Sequence, residues 1–167
     1  MSKRPKIKVP YQSVDILLEL ISITLLLLMF SYTIFEYSSL PETIPTHFNV
    51  KGEADDFGNK LTLWLVPAIA LVMYIGIFII NMFPHTHNYM VNITEENALK
   101  NYTLSTRVLR IVNLFTMLIL GIVTYKIIAS AKGETFSLGS WFLPIIIGMS
   151  VILPIVILIY YKKMNKE

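Results

Sequence analysis

Between residues 40 and 60 the chain reads LPETIPTHFNVKGEADDFGNK, a stretch in which His47 stands close to Glu42, Glu53, Asp55 and Asp56. A histidine beside an acid is the minimum for acid–base work. Imidazole with carboxylates is also a donor set that suits divalent metals. No H-E-x-x-H spacing occurs, however, and a single histidine is a small ligand set, so the expectation is no metal here and no cofactor. The alternative is architectural, with His47 and Asn49 bonding the loop's own backbone. Pro41 and Pro45 hold the residues before them extended. Residues 50–53, with Gly52, read as a turn, so 43–49 and 53–57 are expected to pair as a short hairpin. Phe48 and Phe57 would then face the membrane or the helices.

A second set of charges lies inside apolar sequence. Asp15 and Glu19 are one helical turn apart, and Arg107 and Arg110 stand at the matching depth on a later apolar segment, three residues apart. An acid in hydrocarbon costs about 2.5–3.5 kcal/mol on insertion scales, so it faces a partner or water. The expectation is an acid–arginine cluster, Glu19 with Arg107 or Arg110, that closes one side of a helix bundle. A folding clamp is the simpler reading and a proton or ion relay the alternative. Asn113, deeper on the same segment, is expected to bond across helices. His85 and His87 form an H-x-H pair with no third ligand evident. Nothing resembles a nucleophile triad, a phosphate-binding loop or a dinucleotide fingerprint. The reading is therefore non-enzymatic.

The elements that must position these residues are set by composition. Hydrophobic residues make up 54% of the 167 and charged ones only 15%, against roughly a quarter in soluble domains. The expected fold is an all-α integral membrane protein, a single domain of four transmembrane helices at about 13–35, 61–83, 95–129 and 139–161. A loop or β-hairpin cap at 36–60 joins the first two, and a polar loop at 84–94 joins the second and third. The first apolar run is too long for a signal peptide and lacks a cleavage site, so it reads as an uncleaved helix. Thr94, followed by Glu95 and Glu96, should start helix 3. That helix is long enough to protrude two to three turns beyond a bilayer core about 30 Å thick. A short turn is expected over 131–138, with Gly133 as the helix stop, and Pro154 should kink helix 4. The chain has no cysteine, which excludes disulfides and thiolate chemistry.

Charge gives the orientation. Lys3, Arg4, Lys6, Lys8, Lys100, Arg107, Arg110, Lys162, Lys163 and Lys166 fall at the two termini and the 84–94 side, while Lys51, Lys60, Lys126 and Lys132 fall on the other. The positive-inside rule then puts both termini in the cytoplasm and loop 36–60 outside. Tyr32, Phe35, Tyr37, Trp64, Tyr125 and Trp141 would mark the outer interface, Tyr160 and Tyr161 the inner one. The net charge of +3 is thereby accounted for by topology and does not point to nucleic acid. By the same placement the Asn92 and Asn101 glycosylation patterns lie inside the cell. The LPET start lacks the final glycine of a sortase signal.

The loop also carries a resemblance. Ile44, Pro45, His47, Phe48, Asn49, Gly52, Asp55 and Phe57 match the signature of a widespread bacterial membrane-protein family of unknown function: a proline-flanked IP-x-H-F-N, a glycine, then an aspartate and an aromatic residue. The same domain forms the N-terminal part of Sdp-type immunity proteins, which protect a cell from a secreted toxic peptide and signal its presence. The resemblance implies a multi-pass protein of the bacterial inner membrane acting in immunity or signalling. In that role loop 40–60, through Pro45, His47, Asn49, Gly52, Asp55 and Asp56, would recognise an extracellular peptide or a membrane partner. The alternative is a small transporter or metal-dependent membrane enzyme using His47 with Asp55 or Asp56.

Overall fold

The computed structural model describes residues 4–134 and 142–165. The expected turn over 135–138, the helix start at 139, Trp141, Lys3 and Lys166 lie outside them. In chain order the elements are α1 (Ser13–Tyr37), β1 (Thr43–Phe48), β2 (Ala54–Asn59), a 3-10 turn (Lys60–Trp64), α2 (Leu65–Asn81), a short 3-10 turn (Pro84–Thr86), α3 (Glu95–Ala131) and α4 (Phe142–Met164). Four helices among the described residues are long and apolar enough to cross a membrane. The chain divides into two compact units, Met1–Ser38 with Leu63–Thr124, and Ser39–Thr62 with Tyr125–Glu167.

Local chemistry explains most helix ends. Asp15 Oδ2 accepts the Gln12 backbone N–H at 3.0 Å and so ties down the start of α1. α2 begins two residues before Pro67, where a missing N–H costs no helical bond. The sequence expectation ran helix 2 from 61 to 83, but 60–64 wind as a 3-10 turn. At the other end Met82 and Phe83 donate back to the carbonyls of Ile79 and Ile80, tightening the chain ahead of Pro84. At the start of α3 the Thr94 backbone N–H donates to Asn97 Oδ1 at 3.0 Å, so Asn97 is the capping side chain where the sequence pointed to the Thr94 hydroxyl. Its end closes on Gly133 at φ +79°, with Glu134 N–H on the Ala129 carbonyl and Gly133 N–H on that of Ser130.

In the first unit, α1 buries Asp15, Ser22, Leu26, Met29 and Thr33, one residue every three to seven and therefore one face. Leu26 and Met29 meet Ala70 of α2 and Met117 of α3 in an apolar cluster. A separate cluster joins Ile93, Ala98 and Tyr102, with Val9, Tyr89 and Val91 packed on it. In the second unit the antiparallel β1–β2 pair is the whole sheet among the described residues. There Lys126 Nζ, on the last turns of α3, lies 5.4 Å from the centre of the Phe48 ring. α4 leaves Ile145, Ile147, Val151, Ile152, Ile155, Val156 and Ile159 exposed, an apolar surface all round that suits lipid as its solvent.

Candidate functional site

The hairpin is built from its turn. Asn49 Oδ1 accepts the backbone N–H of Lys51 at 2.8 Å and that of Glu53 at 3.1 Å, while its Nδ2 donates to Glu53 Oε2 at 3.0 Å. The Asn49 N–H donates to the Glu53 carbonyl and its own carbonyl accepts from Gly52. Gly52 sits at φ +77°, in the left-handed region that a side chain makes costly. Asn49 therefore fixes the turn through its side-chain amide, and Gly52 through a backbone conformation that costs glycine little.

The strands follow in register: Thr43 with Asn59, Ile44 with Gly58, Pro45 with Phe57, His47 with Asp56 and Phe48 with Ala54, shifting on both sides of His47. Lys60 N–H donates to the Glu42 carbonyl at 2.9 Å. Bonded and non-bonded pairs alternate along an antiparallel ladder. Counting from Glu42–Lys60, Ile44–Gly58 is a bonded pair and Pro45–Phe57 is not. Pro45 thus occupies a position whose N–H would point away from β2, so the ladder loses nothing by its absence. Phe57 has its N–H and carbonyl on the opposite, outer edge, and there its N–H donates to Asp56 Oδ1 at 2.9 Å.

His47 Nδ1 lies 2.5 Å from Asp55 Oδ1, with the two side chains 65% and 43% exposed. Lys60 Nζ pairs with Glu42 Oε1 at 2.9 Å at the base of the hairpin. Ile44 and Pro45 are buried, whereas Asp55, Asp56 and Phe57 are exposed. Among the described residues no group of three or more His, Asp and Glu side chains is gathered to hold a metal. The six sequence-named loop residues thus serve different ends. Asn49 and Gly52 shape the turn, Pro45 seats one edge, His47 pairs with Asp55, and Asp56 covers a backbone donor on the other edge.

The four helix charges come together at the N-terminal end of α1. Arg107 Nε donates to Asp15 Oδ1 at 2.9 Å, and Arg110 Nε donates to Glu19 Oε1 at 3.1 Å. Arg110 also approaches Asp15 at 3.6 Å, so Asp15 is shared by both arginines. The expected pairing of Glu19 with Arg110 is present, and Asp15, almost completely buried, is the acid that both arginines share.

Around this cluster the segment before α1 forms a strap, although its basic residues by type alone point only to topology. Arg4 donates to the His85 and His87 carbonyls at 3.3 and 2.6 Å and stacks 5.4 Å from the Tyr89 ring. The Tyr102 hydroxyl donates to the Pro5 carbonyl at 3.0 Å. Arg110 lies 4.3 Å from the Tyr11 ring, and Arg107 donates to Gln12 Oε1 at 2.5 Å. His87 is held between Ser105 Oγ at 2.7 Å and the Ile80 carbonyl at 3.0 Å, so both ring nitrogens are occupied. Pro5 and Pro10, which favour extended chain, were the available signal.

A family model described as "Domain of unknown function (DUF1648)" matches residues 24–71, a span that runs from mid-α1 through the hairpin to the first turns of α2. An "Uncharacterized protein" of Archaeoglobus fulgidus is 50% identical over 52 residues, 31% of this chain. The matched stretch covers 27% of that relative's length. No solved structure matches.

Proposed function

We propose that this is a non-enzymatic, multi-pass protein of the bacterial cytoplasmic membrane, with both termini inside and the hairpin outside. There it recognises an extracellular peptide or another membrane protein, in immunity or signalling. The observation that carries the reading is the hairpin itself, a shaped element on which His47, Asp55, Asp56 and Phe57 are exposed, lying within the matched region 24–71. The excess of Lys and Arg at the termini and the 84–94 side supports the orientation.

The Asp15–Glu19–Arg107–Arg110 cluster acts as a clamp that holds α1 on α3. A relay or transport path is less well supported, because Leu26, Met29, Ala70 and Met117 form an apolar cluster that lies, along the chain, between the buried Ser22 and Thr33 of α1 and between the buried Asn113 and Thr124 of α3. A charge crossing such a cluster would be stripped of water with nothing to replace it.

The test is genetic. Cells lacking the gene are challenged with a panel of secreted cationic peptides, with and without complementation by wild type or by the paired variant His47→Ala/Asp55→Ala. The reading expects heightened sensitivity to at least one peptide, reversed by wild type and not by the variant. Unchanged sensitivity across a broad panel would count against it.

A further inference from the structure

The outer edge of β2 supports a more specific mode of recognition, which rests on the reading above. A two-stranded sheet leaves one edge of each strand unpaired, and an unpaired edge is a template for another extended chain. The two edges of this hairpin are not equivalent. On β1 the outward position at residue 45 is a proline, which has no N–H to offer, and Ile44 and Pro45 are buried. On β2 the outward pair at the facing position is the N–H and carbonyl of Phe57, a residue 57% exposed, with Asp55 and Asp56 exposed beside it.

At Phe57 that edge is covered by the Asp56 carboxylate, which accepts the Phe57 N–H at 2.9 Å, and two residues on the Asn59 carbonyl accepts the Thr62 hydroxyl at 2.8 Å. A carboxylate over an edge donor is a common way for proteins to discourage chance strand pairing. It also sets the sign of what can displace it. A neutral or acidic strand would have to push the carboxylate into solvent or bring a like charge against it. A lysine or arginine on the incoming strand gives it a partner instead, and so releases the N–H. Asp55 and Glu53 are already engaged with His47 and Asn49, so Asp56 is the carboxylate of this strand that can move without breaking a side-chain pair among the described residues.

We propose that an extended cationic peptide segment adds as a third strand along the outer edge of β2. Asp56 exchanges the Phe57 N–H for a peptide cation, and the Phe57 N–H and carbonyl pair with the peptide backbone. No bond is made or broken covalently.

The test uses the full chain in lipid nanodiscs and fluorescently labelled synthetic peptides: an alternating Lys–Val octapeptide, its Glu–Val counterpart, and the Lys–Val peptide with its backbone amides N-methylated. Strand addition expects the Lys–Val peptide to bind and the Glu–Val peptide not to. N-methylation should weaken binding by about tenfold or more, because it removes the backbone donors. Phe57→Pro removes the outward N–H without taking a ladder bond and should weaken binding to a similar degree. Asp56→Asn should weaken it about three- to tenfold at low salt, with the difference shrinking at high salt.

If the N-methylated peptide binds as tightly as its parent, strand addition is wrong, and recognition by the hairpin's side chains survives. The N-methylation arm needs no variant, so a misfolded Phe57→Pro protein cannot obscure it. If the Lys–Val peptide fails to bind wild type at millimolar concentration, strand addition is again overturned. The sensitivity assay then decides the broader reading, because it assumes nothing about how the partner is held.

Discussion

Arg107 and Asp15 are 92 residues apart in the chain, and their side chains meet at 2.9 Å. The same carboxylate ties down the first turn of α1 through the Gln12 N–H and lies 3.6 Å from Arg110. One buried acid therefore starts a helix and fastens it to another. Removing one partner of such a pair leaves the others as uncompensated charges, the most damaging way to disturb a buried ion pair.

Asp15→Asn is accordingly expected to destabilise the protein by about 3 kcal/mol. Glu19→Gln should cost less, about 1–2 kcal/mol, because Arg110 keeps Asp15 and the Tyr11 ring. Thermal unfolding in detergent, followed by tryptophan fluorescence, measures both. Equal losses for the two variants would mean that Asp15 is not the shared centre.

The strap predicts a second, local effect. Tyr102 is fully buried and its hydroxyl donates to Pro5. Tyr102→Phe should cost about 1 kcal/mol for the lost bond. Arg4→Ala should free the strap without unfolding the helices. Both variants should be cut faster by trypsin at Lys6 or Lys8, with the remaining sites unaffected. An unchanged cleavage rate would show that the strap is held by something other than these contacts.

On the hairpin, Gly58 faces Thr46 so closely that an added Cβ would stand 2.9 Å from Thr46 Cγ2. Gly58→Ala should destabilise the hairpin, and Thr46→Ala in the same chain should recover most of the loss. A coupling of about 1 kcal/mol is expected from a double-mutant cycle, read by hydrogen exchange at the hairpin amides. Additive losses would place the crowding elsewhere.

The His47–Asp55 pair behaves differently. Exposed pairs contribute about 1 kcal/mol or less, so His47→Ala should leave the unfolding midpoint nearly unchanged while affecting partner recognition. Metal analysis of the purified protein should find no stoichiometric metal in wild type or in His47→Ala. A metal present in wild type and absent from the variant would revive the metal-dependent reading.

The sequence made the four apolar helices and the hairpin legible because both rest on strong local signals: long apolar runs, and two prolines followed by a turn at 50–53 that contains Gly52. Partner choice within the charged cluster was less accessible. Asp15 and Glu19 lie on the same helix face, and only the packing of α1 against α3 decides which of them is deeper. The strap is not legible in the sequence because its contacts with Arg4 and Tyr102 are made by backbone carbonyls at His85, His87 and Pro5, which residue identity does not announce. The roles of Pro45 and Asp56 likewise depend on ladder phase, a property of strand pairing that composition cannot reveal.

Recognition of an extracellular partner requires the hairpin to lie on the outer side of the membrane. Because the chain has no cysteine of its own, single cysteines can be placed at Val50, exposed beside the hairpin turn, and at Lys6 in the strap. Intact cells are then treated with a membrane-impermeant maleimide. With the hairpin outside and the N-terminus inside, Val50→Cys is labelled in intact cells and Lys6→Cys only after permeabilisation. Labelling of Lys6→Cys in intact cells, with Val50→Cys protected until the membrane is opened, would contradict that placement.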